Sequence, residues 1–363
     1  MNDSFYMQRA IELAKKGIGF VNPNPLVGAV IVKDDNIIGE GYHAKYGELH
    51  AERNAFKYCD DNNIDCTNAT IYVTLEPCCH YGKQPPCTEA IVQHGISKVV
   101  IGSRDPNPLV SGKGVEYLRS KGITVVTDYM RSECDALNDI FFHYITTNTP
   151  YVIMKYATTI DGKISSYTGK SKWISCEQSR VHTHQVRKRV SAIMVGIGTV
   201  LADNPMLNCR VEEPSNPIRI VCDSNLRIPL DCNLVTTAKD IPTYVATVSN
   251  DVEKISTLEA LGVKVVNTQP KDDRVDLSQL MQILGSLKID SVLIEGGSEL
   301  NFSALKSGIV DCIQVYLAPM ILGGATAKTP VGGLGFESPD VAKRFKLIKC
   351  QTIGEDLFLE YRR

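Results

Sequence analysis

One imidazole, two thiols and one carboxylate are the residues of this chain that could do chemistry together. They lie in His50-Ala51-Glu52, Glu76-Pro77-Cys78 and Pro85-Pro86-Cys87. One nitrogen and two sulfurs supply three ligands of a tetrahedral zinc and leave the fourth position for water. A Glu that does not bind the metal can then carry that water's proton. His50 and Glu52 are two residues apart, so on a helix they diverge by about 200° and suit different roles, His50 as ligand and Glu52 as proton shuttle. Cys78 follows a proline, and a loop feeding a helix N-terminus would favour its thiolate through backbone N–H groups. Each fragment alone has a plain alternative. His-x-Glu is common, and a pair of thiols in a reducing compartment is more often packed than ligating. The conjunction of the three fragments points to a metal site, with Cys79 as the expected non-ligand.

The elements that must position these residues can be read from periodicity. Asp3 or Ser4 is expected to cap a first helix with Met7, Ala10, Ile11 and Ala14 on one face, ended by Gly17. Asn22-Pro23-Asn24-Pro25 is a rigid loop. Val27 to Val32 and the segment around Ile37 and Ile38 form a hairpin. A loop carrying His43 leads to a helix over Leu49 to Cys59. A strand over Ala69 to Leu75 is stopped at Glu76-Pro77. A short helix over Thr88 to His94, a strand at Lys98 to Ile101, a helix at Gly114 to Lys121 and a strand at Thr124 to Thr127 follow. Arg131 to Thr147 reads as one amphipathic helix. This alternation predicts a layered α/β sheet whose strands are parallel after the hairpin.

A chain of 363 residues suggests two domains, and the boundary falls before Thr149-Pro150, giving 1–147 and 148–363. The second run is again α/β, with strands expected at Tyr151 to Tyr156, Ala192 to Gly196, Ile218 to Cys222, Thr243 to Thr247, Val263 to Val266, Ser291 to Glu295, Asp311 to Leu317 and Leu357 to Tyr361. Glycines in Glu295-Gly296-Gly297-Ser298 let backbone N–H groups approach a phosphate, although no Gly-x-Gly-x-x-Gly fingerprint is present. Apolar residues make up 43% and charged residues 22%, as in ordinary globular protein. A formal net charge of −2 gives no global basic field for nucleic acid or an anionic membrane. No apolar run is long enough to span a bilayer, and Met1 to Ala10 lacks a signal-peptide pattern. Twelve cysteines without framework spacing fit a reducing cytoplasm.

His-x-Glu followed by Pro-Cys is the zinc deaminase pattern, usually completed as Cys-x-x-Cys. Here Cys78 and Cys87 are nine residues apart. With Pro23-Asn24-Pro25, Gly41-Tyr42-His43, Thr74-Leu75-Glu76-Pro77-Cys78 and Asp105-Pro106-Asn107-Pro108, the first half resembles the bifunctional riboflavin-biosynthesis deaminase/reductases of bacteria. The second half carries Lys155 to Lys163, Ser171-Lys172-Trp173-Ile174, Gly198 to Pro205, Pro217 to Ser224 and Glu295-Gly296-Gly297. It resembles the reductase domain of the same family, so the likeness spans nearly the whole chain.

The resemblance implies two three-layer α/β domains, cytidine-deaminase-like and then dihydrofolate-reductase-like. It implies zinc on His50, Cys78 and Cys87, with Glu52 shuttling a proton during hydrolytic deamination of a diaminopyrimidinone bearing a ribosylamino 5′-phosphate. Asn24 and His43 become candidates for holding the base, and Lys83, beside His80, for the phosphate. It then implies NADPH reduction of the ribosyl group to a ribityl chain. NADPH contacts are expected at Ala157, Trp173, Thr199, Asp203, Ser224 and the segment Gly297, Ser298, Glu299, Leu300, Asn301, Phe302, Ser303. Substrate contacts are expected at Ser171, Arg187, Leu207, Arg210 and Glu295. Arg187 and Arg210 suit a ribose phosphate because guanidinium forks match phosphate oxygens. Lys155 and Asp161 are candidates for proton handling or for scaffolding. The expected partners are the small-molecule pyrimidine ribotide and a second copy of the chain in a homodimer, with no nucleic acid and no membrane. A tRNA-editing deaminase would want a basic, aromatic rim and Cys-x-x-Cys, and neither is evident. A structural zinc module would want a fourth protein ligand, from Cys79 or His80.

Overall fold

Strand β1 (Gly28–Lys33) turns Ala29 and Ile31 to one side of a sheet and Val30 and Val32 to the other, the period of two that a strand imposes. Both sets are apolar, so both sides must be covered. In the computed structural model, which describes residues 2–81, 84–107 and 110–363, they are. The chain divides into two units, Met1–Asn148 and Thr149–Arg363.

In the first unit β1, β2 (Asn36–Tyr42), β3 (Thr70–Leu75), β4 (Lys98–Ser103) and β5 (Thr124–Val126) form one sheet in the order β2-β1-β3-β4-β5. The β1–β2 and β1–β3 pairs are antiparallel, and β3, β4 and β5 run parallel. Helices α1 (Asp3–Lys15) and α5 (Arg131–Asp135) pack with Val30, Tyr72 and Val100 on one side. Helices α2 (Ala51–Asp61), α3 (Cys87–Gln93), α4 (Lys113–Ser120) and α6 (Asp139–Thr147) pack with Ile31, Ile71, Val99 and Ile101 on the other. Two glycines set helices close to strands. A Cβ on Gly28 would meet Ala10 O at 1.9 Å, and one on Gly41 would meet Ala51 O at 2.3 Å and Ala55 N at 2.4 Å.

Three local expectations are corrected. The cap of α1 is Asn2, whose Oδ1 accepts from Ser4 N at 3.2 Å, not Asp3 or Ser4. The second helix starts at Ala51, so His50 is its cap, with extended φ −72° and ψ 165°. The expected single helix over Arg131 to Thr147 is two, α5 and α6. The break is made by Asn138, which is buried and exchanges two hydrogen bonds with the Leu26 backbone, at 2.8 and 2.9 Å.

The second unit is built on a nine-stranded sheet ordered β10-β9-β8-β7-β13-β6-β14-β16-β15. Its members are β6 (Tyr151–Thr159), β7 (Ala192–Gly196), β8 (Ile218–Cys222), β9 (Thr243–Thr247), β10 (Val263–Asn267), β13 (Ser291–Ile294), β14 (Cys312–Ala318), β15 (Lys346–Ile353) and β16 (Asp356–Arg362). A short ribbon, β11 (Pro270–Lys271) with β12 (Arg274–Val275), stands apart. The run from β10 to β14 is parallel, and β16 and β15 close the edge antiparallel. Strand β15 has no counterpart in the sequence reading. It is exposed along almost its whole length, so it carries no apolar alternation to find. Helices α11 (Leu277–Ser286) and α12 (Ser298–Ser307) cover one side, and α8 (Ile197–Asp203), α9 (Asn233–Thr236) and α10 (Val252–Ala260) the other. The linking helix α7 (Glu177–Arg189) precedes β7. Arg219 on β8 is fully buried and donates to the carbonyls of Met206, Leu234, Thr237 and Ile241.

Candidate metal centre and a second polar site

His50 caps α2, Cys78 lies just past β3, and Cys87 opens α3. The three element ends bring His50 Nδ1 to 3.6 Å from Cys78 Sγ and 3.4 Å from Cys87 Sγ. Among the described residues these three form the only group of potential metal ligands, with ligand atoms within 4.8 Å of one another. Neither Cys79 nor His80 joins it. The Cys78 thiol is pulled down to about 4 by a hydrogen bond from the Cys87 thiol, against its burial and with help from His50 and the Cys87 backbone N–H. The donor set is thus one imidazole nitrogen and two sulfurs, one of them ready as thiolate. That set fits zinc, and three protein ligands leave a coordination position free for chemistry.

The supports around these ligands are specific. Arg53 on α2 donates from Nε to Pro85 O at 3.0 Å and from Nη2 to Pro86 O at 2.9 Å, fixing the loop that delivers Cys87. Glu76, which is buried, accepts from Gly112 N at 3.2 Å and Val115 N at 3.4 Å at the start of α4. A carboxylate there meets the positive end of the helix. A Cβ on Gly114 would meet Pro77 O at 2.3 Å, so the turn between Glu76 and Cys78 lies flat on that helix. The sequence reading quoted Glu76 within a motif and gave it no role. A buried acid beside a proline and a thiol was the available signal.

A cavity of about 340 Å³ reaches these ligands. Glu52 lines it from the first turn of α2, only 3% exposed. Burial, then the Cys78 thiolate, raises its carboxyl above the usual range, so it holds a proton more readily than a free Glu. His43 is buried, and burial lowers its imidazole. Its Nδ1 donates to Leu49 O at 3.0 Å and its Nε2 lies 3.2 Å from Asn24 Nδ2. Asn24, His43 and the residue before His50 are therefore one chain of contacts at the cavity wall. Asp105 lines the cavity too, pushed up to about 6 by burial, and accepts from Asn107 N at 2.8 Å. Phe141, Tyr144 and Ile145 on α6, read from sequence only as part of a helix's apolar face, line the cavity. Lys83 lies outside the described residues.

In the second unit, Lys155 of β6, Arg187 of α7 and Glu295 after β13 converge. Arg187 donates from Nε to Glu295 Oε1 at 2.6 Å and from Nη2 to Glu295 Oε2 at 2.9 Å. Lys155 Nζ is 4.0 Å from Glu295 Oε2 and faces the Tyr316 ring at 5.3 Å. Burial would raise the Glu295 carboxyl, but Arg187 and Lys155 outweigh it and bring it to about 2. Burial lowers Lys155. This pairing occupies the forked edge of Arg187, whose Nη1 donates to Asn208 O at 2.8 Å. His184 of α7 completes the cluster and was not singled out from sequence.

The remaining positions fall in two groups. Gly296 (φ 110°) and Gly297 (φ 87°) lead into α12, and a Cβ on Gly296 would come within 3.3 Å of Thr199 Oγ1. This glycine cradle, closed by Thr199 and ending on free helix N–H groups, fits the phosphate end of a dinucleotide such as NADPH. Ser298 and Glu299 lie in the same first turn, where Ser298 O accepts from Gly332 N at 3.0 Å and Glu299 Oε1 from Gly333 N at 2.9 Å. Ser303 lies further along the same helix. Leu300, Asn301 and Phe302 are buried and turn inward, as does Leu207, so a ligand would meet their backbone. Ala157 lies on β6, Asp203 ends α8, and Ser224 Oγ accepts from Val275 N at 3.2 Å. Ser171 and Trp173 sit between β6 and α7, and Trp173 is 63% exposed with the Arg180 guanidinium 4.6 Å over its ring. Asp161 accepts from Leu322 N and Gly323 N at 3.2 and 2.7 Å, the work of a loop anchor.

Residues 1–103 match the cytidine and deoxycytidylate deaminase zinc-binding region, and residues 150–359 match the RibD C-terminal domain. The riboflavin biosynthesis protein RibD of Actinobacillus pleuropneumoniae is 56% identical, over 99% of this chain and 95% of that protein. Its counterpart in Bacillus amyloliquefaciens is 42% identical, over 98% and 95%. The crystal structure of a diaminohydroxyphosphoribosylaminopyrimidine deaminase/5-amino-6-(5-phosphoribosylamino)uracil reductase from Thermotoga maritima is 39% identical. It covers 99% of this chain and 97% of its own, with a TM-score of 0.88. No helix among the described residues is long and apolar enough to cross a membrane.

Proposed function

Because the chain belongs to the bifunctional riboflavin-biosynthesis deaminase/reductase family, we propose that its two chemistries divide at the boundary read from sequence, deamination in 1–147 and reduction in 148–363. The chain is a zinc- and NADPH-dependent enzyme with a cytidine-deaminase-like and a dihydrofolate-reductase-like domain. It deaminates 2,5-diamino-6-ribosylamino-4(3H)-pyrimidinone 5′-phosphate and then reduces the ribosyl group, giving 5-amino-6-(5-phosphoribitylamino)uracil.

The observation that carries the first step is the group of one nitrogen and two sulfurs beside a buried Glu. His50, Cys78 and Cys87 hold the metal, and bound zinc supplies Lewis acidity that activates water. Glu52 takes the proton of the attacking water and returns it to the departing amine, a role its raised carboxyl suits. Asn24 and His43 orient the base. His43 is neutral and committed through Nδ1 to Leu49 O, so it holds the Asn24 amide in place. Lys83 and His80 meet the 5′-phosphate.

For the second step, NADPH supplies the hydride. The cradle of Thr199, Gly297 and the start of α12 takes its phosphates, with Ala157, Trp173, Asp203 and Ser224 along the rest of the cofactor. Ser171, Arg187, the Leu207 backbone, Arg210 and Glu295 receive the substrate. Lys155 is the group with a proton to give, since Asp161 is spent on backbone N–H groups. The chain works in the cytoplasm as a homodimer. Its twelve cysteines, none joined to another, suit a reducing compartment.

The test follows ammonia release and NADPH oxidation separately on the purified protein with the ribotide. Glu52→Gln should lower ammonia release by about 10²–10⁴-fold and leave NADPH oxidation of the deaminated ribotide at the wild-type rate. Ammonia release that survives this change would sink the assignment of Glu52.

A further inference from the structure

The loop that carries Arg210 is docked on one face of α7. Arg187 Nη1 donates to Asn208 O at 2.8 Å, and the Cys209 thiol donates to His184 O at 3.3 Å. The guanidinium of Arg210 then reaches the same helix, with Nε at 3.2 Å and Nη2 at 3.0 Å from His184 Nε2. His184 is 8% exposed, whereas Arg210 is exposed. One edge of an otherwise mobile cation is thus tied to a buried, rigid acceptor.

A neutral imidazole offers one lone pair; the two guanidinium nitrogens at Nε2 place it there, with the proton on Nδ1, while the Arg210 backbone N lies 3.3 Å from Nδ1. Three cations, Lys155, Arg187 and Arg210, act on His184 against one carboxylate, Glu295, and they disfavour a further positive charge there. The forked edge of Arg187 is already closed by Glu295, so Arg210 is the guanidinium left to meet an anion. An Arg held in advance loses less side-chain freedom when it binds phosphate.

We propose that His184 is a positioning residue, which fixes Arg210 in the orientation that receives the 5′-phosphate of the ribotide during reduction. The inference rests on Arg210 being the phosphate partner, and the two ideas separate experimentally. NADPH oxidation is measured with the deaminated ribotide and with the same compound lacking its phosphate. Arg210→Ala tests the phosphate reading. It should raise KM for the ribotide and leave KM for the unphosphorylated riboside unchanged; equal KM values for wild type and variant would overturn that reading and the inference with it, whereas failure of the His184 variants alone would leave the reading standing. His184→Leu should raise the ribotide KM about tenfold, the size of one charge-assisted hydrogen bond, with kcat unchanged and no effect on the riboside. His184→Gln, which keeps an acceptor at similar reach, should recover most of the loss. His184→Asn, polar but too short, carries the same expectation as His184→Leu if the latter does not fold. In the Arg210→Ala background, the His184 changes should have no further effect. Equal losses with both substrates, or losses that add in the double variant, would show a merely structural histidine.

Discussion

His184 also makes the folded protein sensitive to acid. Burial, then the charges of Arg187 on its own helix and Arg210 on the docked loop, lower it from 6.5 to about 4, with Lys155 adding and Glu295 opposing. Protonation is therefore harder in the folded state than in the unfolded chain. The contribution to stability is complete above pH 6.5 and is lost as pH falls from there towards 4. Its ceiling is about 3 kcal/mol. Urea midpoints of wild type and His184→Gln, compared from pH 7.5 to 4.5, should converge as the wild type loses this contribution. A constant gap across that range would contradict the assignment. Such a residue was hard to see in sequence. The segment Ser179-Arg180-Val181-His182-Thr183-His184 shows two histidines on one helix, and only the docking of a loop from over 20 residues away separates them. His50, Cys78, Cys87 and Glu52 were legible because a metal site demands particular residue types, and few other arrangements use that set.

Elements were legible where burial alternates and illegible where a tertiary bond decides. Strands β7, β8 and β9 begin and end at the residues that their apolar runs suggest. The break between α5 and α6 was invisible because Leu137, Ile140 and Phe141 keep a helical period across it, while Asn138 answers to Leu26, a residue distant in sequence. The same reasoning gives Glu76 its weight. It ties the end of β3 to the start of α4 and so fixes the turn that presents Cys78. Glu76→Gln keeps the shape but removes the charge at the helix terminus. Zinc affinity, read by competition with a chromophoric chelator, should fall by about 10–100-fold, as for other supports of metal ligands, and NADPH oxidation should not change. Unaltered zinc affinity would leave Glu76 as a helix cap and nothing more.

At the scale of the molecule, composition and length already called for two α/β units, and the family likeness supplied what periodicity could not: that a metal-dependent hydrolysis shares its chain with a hydride transfer. Each unit has its own sheet and its own pair of apolar layers, so damage to one chemistry need not reach the other. Gly41 shows what this means for inheritance. Its missing side chain lets Ala51, the residue between His50 and Glu52, rest on β2. In a population selected for growth without added vitamin, alleles at this codon would behave as null for the first reaction. They would still complement a strain defective only in the second, although Gly41 touches none of the metal ligands and acts only through the backbone of the helix that carries Glu52.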